Sequence, residues 1–382
     1  MKESIVLALL LLLALVLIPL IAMGGENVGL LNPFDTAADR SDKGKTQSTP
    51  SSQAELVQDN LDPNEDARQA LDDLIAEYGE QGAANQPEGL TDFRIKNVST
   101  GKVETVSARD YVIGAVASEM PASFSIEALK AQAVAAHTYA LRKKLDVANA
   151  ANPSADGADF EADPSNYKGY MTEELARVWF GDNFDVYWSR IAGACDEVLG
   201  KVLVYQSEPI IAAYHSMSAG LTESAETVWL TGVPYLVPVE SAGDVLARSF
   251  EVETDVTADE VKGLLVAKYP DIKLPTDKTK WFAEKNRSQS GTITELMAGD
   301  VTMTGQEARE MFSLRSANFT VQYSNGKFTF TTLGYGHGVG LSQYGADYMA
   351  RQGATYDEIL AHYYTGAVLA DLSEVRFGAA EQ

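Results

Sequence analysis

The stretch that decides the fold is SIEALKAQAVAAHTYALRKKL, residues 125–145. Ser125 is a favourable N-cap residue, and the residues after it are rich in Ala, Leu and Lys, which favour helices. The stretch therefore predicts a long helix from Ser125 to about Leu145. The alanines at 131, 133, 135 and 136 have small side chains, so neighbouring elements can pack closely against this helix.

Hairpins and shorter helices are predicted on both sides of this helix. Turn residues between alternating strands, such as Asn325-Gly326, indicate β-hairpins at 93–98 with 102–106, 201–205 with 209–215, and 318–323 with 327–331. Capping residues and apolar spacing predict helices at 107–118, 172–179, 182–197, 258–268, 305–314, 339–351 and from 355 onward. The predicted fold class is α+β, with hairpin-rich mixed sheets and packed helices.

The N-terminus predicts a membrane segment. Residues 5–22 form an apolar run of 18 residues, interrupted only by Pro19. As a helix this run is about 27 Å long, which is close to the thickness of a bilayer core. The apolar region of a cleaved signal usually has about 7–15 residues. We therefore expect residues 1–23 to be an uncleaved transmembrane anchor, and a signal segment cleaved near Ala22-Met23-Gly24 is the alternative.

Composition divides the remaining chain. Residues 24–90 contain 14 acidic and 4 basic residues, which predicts an acidic stalk. Residues 36–53 have no periodic apolar pattern and are predicted to be disordered, whereas 62–80 show a weak helical pattern that predicts one exposed amphipathic helix. We predict a catalytic region at 91–370 and a C-terminal tail at 371–382. An inserted subdomain at about 245–320 is a further option.

The overall composition excludes several classes of protein. The chain has 382 residues and a net charge of -24, which argues against nucleic-acid binding because that relies on Lys and Arg at phosphates. A single cysteine, Cys195, excludes an intramolecular disulfide and Cys-rich zinc modules. We expect Cys195 to be a buried, inert thiol. An exported chain without disulfides indicates a bacterial surface protein.

Glu119 is the first candidate catalytic residue. It ends a predicted apolar helix and is followed by Met120-Pro121. Apolar neighbours can raise the pKa of a carboxyl group, which suits a general acid. An ordinary carboxylate near a helix end is the alternative, and the spacing alone leaves both open.

The histidines indicate where other chemistry lies. There are four, His137, His215, His337 and His362. His215-Ser216 ends a predicted strand, and His337 lies in residues 334–345, where five glycines imply close backbone approach. That run lacks the nucleotide-loop patterns. We expect His362 to be a packing residue on the last helix. A zinc site assembled from the other three histidines is a minor alternative, because no local ligand spacing supports it.

Four ordered motifs resemble the stage II sporulation protein D family, the SpoIID/LytB or amidase enhancer group. They are Ser118-Glu119-Met120-Pro121, residues 127–139, Tyr214-His215-Ser216 and residues 336–345, within a similarity over most of 93–369. The resemblance implies a peptidoglycan lytic transglycosylase that cleaves MurNAc–GlcNAc bonds of glycan strands stripped of stem peptides. It implies wall remodelling during sporulation (engulfment), with Glu119 as the catalytic acid.

The resemblance also implies a set of substrate contacts: Gln132, His137, Tyr139, His215, Ser216, Ser218, His337, Gly338, Gln343 and Tyr344. His137 stands where many relatives carry Arg, and Ser218-Ala219-Gly220 replaces the usual Ser-Gly-Gly. Some relatives hold zinc through Cys and His, but with one Cys we expect no cofactor here. Expected partners are glycan strands, a cell-wall amidase and membrane proteins, and the expected location is the cell membrane. The catalytic region would lie outside the cytoplasm, or in the intermembrane space of a sporulating cell.

Two other functions stay open. The first is a non-catalytic protein that enhances an amidase or binds the wall. The second is a hydrolase that pairs Glu119 with Glu223, Glu226 or Asp347, since ordinary glycosidases use two carboxylates. A Trp at 229 could stack on a sugar or pack in the core.

Overall fold

A computed structural model describes residues 92–149 and 156–375 of the chain. The predicted anchor (1–23) and stalk (24–90) lie outside the described residues, as do 376–382 of the predicted tail. Over the two described ranges, no helix is both long and apolar enough to cross a membrane. The domain boundaries predicted from the sequence stay predictions.

The described residues form a mixed α+β structure, which confirms the predicted class for this part of the chain. Its helices, in chain order, are α1 Ala108–Glu119, α2 Ile126–Asn149, α3 Glu173–Phe180, α4 Phe184–Val198, α5 Ala225–Trp229, α6 Ala258–Lys268, α7 Gly305–Phe312, α8 Gln343–Arg351 and α9 Tyr356–Tyr363. The longest, α2, packs against α1, α4, α8 and α9, so it is the centre of the first hydrophobic core.

The strands form several small sheets. In chain order they are β1 Phe93–Asn97, β2 Val103–Val106, β3 Phe160–Ala162, β4 Lys201–Tyr205, β5 Glu208–Pro209, β6 Tyr214–His215, β7 Glu251–Thr257, β8 Phe282–Arg287, β9 Ile293–Ala298, β10 Val301–Met303, β11 Phe319–Ser324, β12 Lys327–Leu333, β13 Leu341–Ser342 and β14 Val368–Asp371. Their orders are β2-β1-β3, β14-β4-β5, β13-β6, β10-β9-β8 and β11-β12-β7.

A second hydrophobic core lies between the sheets β10-β9-β8 and β11-β12-β7 and the helices α6 and α7. Its largest buried side chains include Trp281, Phe319, Phe328 and Phe330. The hairpin β11–β12 turns at Asn325-Gly326, where both residues have positive φ, as predicted. The two cores share no buried side chain.

Local capping signals explain where the helices begin. The side chain of Ser107 accepts a hydrogen bond from the backbone N–H of Asp110 at the start of α1. Thr304 and Thr355 form capping boxes with Glu307 and Glu358 at the starts of α7 and α9. These three starts were predicted from the sequence.

Two predictions near the glycine-rich run were wrong. Of the predicted return strand 209–215, the part in β5 pairs with β4 as predicted, whereas β6 leaves that hairpin and pairs in parallel with β13. The predicted helix from Val339 begins only at Gln343. The reason is the close approach of Gly340, which has φ +75° and whose added Cβ would lie 2.0 Å from the Ala213 carbonyl oxygen. A helix at this position would prevent the pairing.

Candidate active site

Glu119 is the last residue of α1 and is half-buried. The next residue, Met120, is extended and completely buried, and Pro121 follows it, so the helix cannot continue. Burial raises the pKa of Glu119 to about 7, and a hydrogen bond from Gln343 opposes that rise. A carboxyl group with this pKa is about half protonated at pH 7, and Glu119 remains partly open to solvent.

Gln343 connects the acid to the central helix. Its Nε2 lies 3.3 Å from Oε2 of Glu119 and 3.5 Å from Oε1 of Gln132, so it donates to both. Three distant stretches of the chain therefore meet here. The amide Nε2 of Gln132 is buried and has no hydrogen-bond partner within the described residues. A substrate carbonyl could satisfy this donor.

Two tyrosines interact with the charge of Glu119, and a third interacts with one of them. Tyr111 and Tyr214 are buried, and burial together with the charge of Glu119 raises the pKa of both phenols. The Tyr111 hydroxyl is buried without a hydrogen-bond partner in 92–149 and 156–375. Tyr139 lies seven residues, about two turns, after Gln132 and so shares its side of α2. Tyr139 also acts on the pKa of Tyr214, which places it in the same group.

The parallel pair β6–β13 positions two histidines. His215 Nδ1 lies 3.1 Å from the carbonyl oxygen of Val339, and the backbone N–H of Val339 donates to His337 Nδ1 at 3.0 Å. His215 therefore carries its proton on Nδ1 and His337 on Nε2. Their ring centroids are 5.8 Å apart. Burial lowers the pKa of His215 to about 4 and that of His337 well below its ordinary value, so both rings are neutral at pH 7.

Ser218 belongs to a buried polar cluster beneath this strand pair. Its N–H and Oγ donate to Oδ2 of Asp244 at 2.7 and 2.6 Å, and Ser342 Oγ donates to Oδ1 at 2.6 Å. Asp244 is 0% exposed, and burial raises its pKa. The cluster fixes the Ser218 loop to β13. Asp244 has no local signal in the sequence, since its partners lie 26 and 98 residues away.

The remaining predicted contacts lie close in the chain to the two strands of the β6–β13 pair. The Tyr344 N–H donates to the Ser216 carbonyl at 3.1 Å, and the Tyr344 ring meets Phe124 edge-on at 5.1 Å. Gly338 has φ +82°, and its carbonyl accepts from the Glu223 N–H at 2.7 Å. Ser216, Tyr344 and Gly338 are all half-buried, so part of each is open to solvent.

His137 lies elsewhere. It is five residues after Gln132, which turns it about 140° around α2. Its ring is 1% exposed and packs edge-on against Phe93 at 6.2 Å. Burial lowers its pKa to about 4. The structure does not bring His137 to Glu119, and its substrate contact stays a prediction.

The other residues singled out in the sequence analysis are Cys195, His362 and Trp229. Cys195 is buried and free, and burial raises its pKa. His362 Nε2 lies 2.7 Å from the Glu240 carbonyl, which fits packing. Half-buried Trp229 lies 5.7 Å from the His337 ring. Within the described residues, no group of three His, Cys, Asp or Glu side chains could hold a metal ion.

The carboxylates proposed as a second catalytic group have other partners. Glu223 is buried and accepts hydrogen bonds from the Ser224 N–H and from the Ser288 hydroxyl. Asp347 accepts from the Ser125 N–H at 2.7 Å and pairs with Arg351 at 2.7 Å. Glu226 is exposed. Among the described residues, no second carboxylate contributes to the pKa of Glu119.

Comparisons with known proteins agree with this arrangement of motifs. Residues 96–205 match the family described as stage II sporulation protein, SpoIID. The chain is 34% identical over 308 residues to stage II sporulation protein D of Bacillus subtilis (strain 168), which covers 80% of this chain and 86% of the relative. It is 35% identical to the protein of that name from Bacillus amyloliquefaciens, over 75% and 79%. An amidase enhancer of Bacillus subtilis (strain 168) is 29% identical over 67% of this chain and 40% of its own length. The chain belongs to the stage II sporulation protein D family.

Proposed function

We propose that this chain is a peptidoglycan lytic transglycosylase that acts in the cell wall during sporulation. The observation that carries the proposal is Glu119, a half-buried carboxyl group with a pKa of about 7. Such a group can give a proton near neutral pH and take it back within one reaction. The family, through relatives named for sporulation, supports the biological setting.

The reaction needs only one carboxyl group. Protonated Glu119 donates its proton to the glycosidic oxygen between MurNAc and GlcNAc, and the C1–O bond of MurNAc breaks with oxocarbenium-like character. The Glu119 carboxylate then accepts the proton of the MurNAc C6 hydroxyl, whose oxygen bonds to C1. The products are a 1,6-anhydroMurNAc end and a GlcNAc end, and no water is consumed. Among the residues that the structure describes, no second carboxylate contributes to the pKa of Glu119, and this supports the one-carboxylate route over a two-carboxylate hydrolase.

The neighbours of Glu119 would position the sugar. Gln343 holds one oxygen of the acid, and the unpartnered Nε2 of Gln132 suits an N-acetyl carbonyl. His215 has a buried Nε2 without a proton or a partner among the described residues, so it can accept a bond from a sugar hydroxyl. These are binding and orienting roles, and no metal is needed for them.

Mass spectrometry of digested glycan tests the proposal. The full chain is incubated with purified glycan strands that lack stem peptides, and the new ends are weighed. Anhydro ends are lighter by one water than reducing ends, so they separate a transglycosylase from a hydrolase. We expect anhydro ends from the wild type, at least 100-fold fewer from Glu119→Gln, and no change in the exposed control Glu253→Gln. Full activity of Glu119→Gln would overturn the assignment.

The similarity to an amidase enhancer supports a second candidate, a non-catalytic protein that stimulates an amidase. It predicts no soluble sugar product from the chain alone. It also predicts a faster release of stem peptides when the chain is mixed with an amidase. The same digestion, with and without an amidase, distinguishes the two.

We further propose that the chain is held in the cell membrane by its apolar N-terminal run, with the catalytic region outside the cytoplasm. The 18-residue length of the run supports this, because it can span a bilayer as a helix. Fractionation of cells and protease access from outside would test it. Release of the catalytic region into the medium would indicate a cleaved signal instead.

A further inference from the structure

An arginine with an unusual environment, Arg315, lies on the loop that follows α7. The guanidinium of half-buried Arg315 lies over the ring of Tyr335, 4.3 Å from its centroid. The Arg315 carbonyl accepts a hydrogen bond from the Gly336 N–H at 2.9 Å. Both contacts fix this arginine to the glycine-rich run that carries His337.

Two of the three side-chain nitrogens of Arg315 lack hydrogen-bond partners in the part of the chain that the structure describes. Its Nε and Nη2 are buried, and neither has a hydrogen-bond partner within the described residues. Arg190 shows the ordinary arrangement, since its Nε and Nη2 each donate to a backbone carbonyl at 2.9 Å. Burying an N–H group without an acceptor costs free energy, and charged groups lose more than neutral ones. Two such donors on one planar group form a fork that matches a carboxylate.

Arg315 is also connected to the surroundings of Glu119. Its charge interacts with the phenol of Tyr344 as well as with that of Tyr335. Tyr344 is adjacent to Gln343, whose amide donates to Glu119. The fork and the acid are therefore each linked to one of two adjacent residues at the start of α8, Tyr344 and Gln343.

The chemistry of the substrate indicates what the fork would bind. A strand of alternating MurNAc and GlcNAc has one kind of anionic group, the carboxylate of the lactyl ether on MurNAc. That carboxylate is free only where the stem peptide has been removed, and otherwise it is a neutral amide. We propose that Arg315 binds the free lactyl carboxylate of a MurNAc in the bound strand and so selects strands without stem peptides. This inference rests on the proposed function.

Cleavage of three substrates by the full chain tests the charge preference. The substrates are strands with free lactyl carboxylates, the same strands converted to neutral methylamides, and strands that retain stem peptides. The methylamide separates loss of charge from the bulk of a peptide. We expect the wild type to cleave the free-carboxylate strands with a kcat/KM about 10- to 100-fold above that for the methylamide, the range for a hydrogen bond to a charged group.

Variants of Arg315 assign the preference to this residue. Arg315→Gln should lose the preference by becoming slower on the free carboxylate, and Arg315→Lys, which keeps the charge without the fork, should keep only part of it. The control variant Arg177→Gln loses the positive charge of a side chain that is 57% exposed. It should keep the wild-type ratio of kcat/KM for the free-carboxylate strands to that for the methylamide strands. Thermal unfolding checks that each variant is folded. An unchanged ratio in Arg315→Gln, or equal cleavage of both strands by the wild type, would overturn the inference.

A binding measurement without catalysis tests this inference independently of the proposed function. The catalytically silent Glu119→Gln chain is titrated with N-acetylmuramic acid and with its methylamide. Tighter binding of the acid, lost when Arg315→Gln is added, supports the inference even if no anhydro ends are ever formed. Equal binding of the two ligands contradicts the inference, whatever the outcome of the cleavage assay.

Discussion

The raised pKa of Glu119 predicts how stability depends on pH. In the unfolded chain the carboxyl group has an ordinary pKa near 4.5, whereas in the folded chain the pKa is about 7. Between these values the folded state binds a proton that the unfolded state has lost. The contribution of Glu119 is therefore fully present below pH 4.5 and is lost as pH rises to about 7. Glu119→Gln has no such proton and removes this slope.

The magnitude follows from the two pKa values. Each pKa unit of difference between the folded and unfolded states corresponds to about 1.4 kcal/mol, so a difference of about 2.5 units gives an upper limit of about 3.4 kcal/mol. Glu119 is half-buried, so solvent reduces the cost of ionising it, and we expect about 2 kcal/mol. Relative to wild type, Glu119→Gln should therefore become more stable by about 2 kcal/mol between pH 4.5 and pH 7.5.

Urea unfolding of the wild type and of Glu119→Gln at several pH values from 4.5 to 8 measures this difference. Glu253→Gln, a change of the same chemistry at an exposed strand position, supplies the control and should follow the wild type at every pH. The cleavage rate should fall above pH 7, as the acid loses its proton. A difference that does not change with pH would refute the reasoning, because it would show that Glu119 titrates alike in both states.

Three further predictions concern its surroundings. Gln343→Leu removes a hydrogen bond that lowers the pKa of Glu119, so the pH–rate profile should lose activity at a higher pH than wild type and at a lower maximal rate; an unshifted profile would contradict this. Asp244→Asn disturbs three short hydrogen bonds to a fully buried carboxylate. Urea unfolding should therefore show that the free energy of unfolding falls by about 1–3 kcal/mol. A fall below about 0.5 kcal/mol would show that the Asp244 cluster does not stabilise the fold. Gly340→Ala places a Cβ 2.0 Å from a backbone carbonyl oxygen, whereas the Cβ of the control Gly353→Ala, also at positive φ, meets nothing within 4 Å. Thermal unfolding should show that Gly340→Ala lowers stability by about 3 kcal/mol or more and Gly353→Ala by about 1 kcal/mol. Equal losses for the two variants would contradict the prediction.

Local signals made much of the fold predictable. Helix starts at Ser107, Thr304 and Thr355 follow from capping residues within three positions of each other. The hairpin turn at Asn325-Gly326 follows from two residues that tolerate positive φ. In each case the interacting groups are neighbours in the chain, so the sequence contains both partners in one window.

Long-range pairing could not be predicted in the same way. β6 leaves its hairpin because β13, more than 120 residues later, offers its backbone in parallel. Gly340 allows that approach because it has no side chain. The sequence alone does not show that glycine is required there, because the Ala213 carbonyl that would clash with a Cβ comes from a distant part of the chain. Asp244 and Arg315 were missed for the same reason, since the partners that make them unusual come from distant stretches.

The predicted site residues also differ in whether the structure brings them to Glu119. Glu119, Gln343 and Gln132 were singled out with motifs and the structure brings them together. His137 was singled out with the same helix motif, but helix geometry turns it toward Phe93 in the core. A motif read as a string does not distinguish the face of a helix that lines a cleft from the face that packs.

The separation of Glu119 from Arg315 is a physical requirement of the two proposals. A general acid near neutral pH needs a carboxyl group without a neighbouring cation, because a cation would lower its pKa. An anion-binding arginine needs a fork that no carboxylate of the protein already occupies. Direct contact between the two would form an ion pair and remove both properties. Within the described residues no cation contributes to the pKa of Glu119, and the buried donors of Arg315 have no acceptor. Glu119 would act on a neutral glycosidic bond, and Arg315 would bind a charged group, so the two residues suit different parts of the same substrate as long as they stay unpaired.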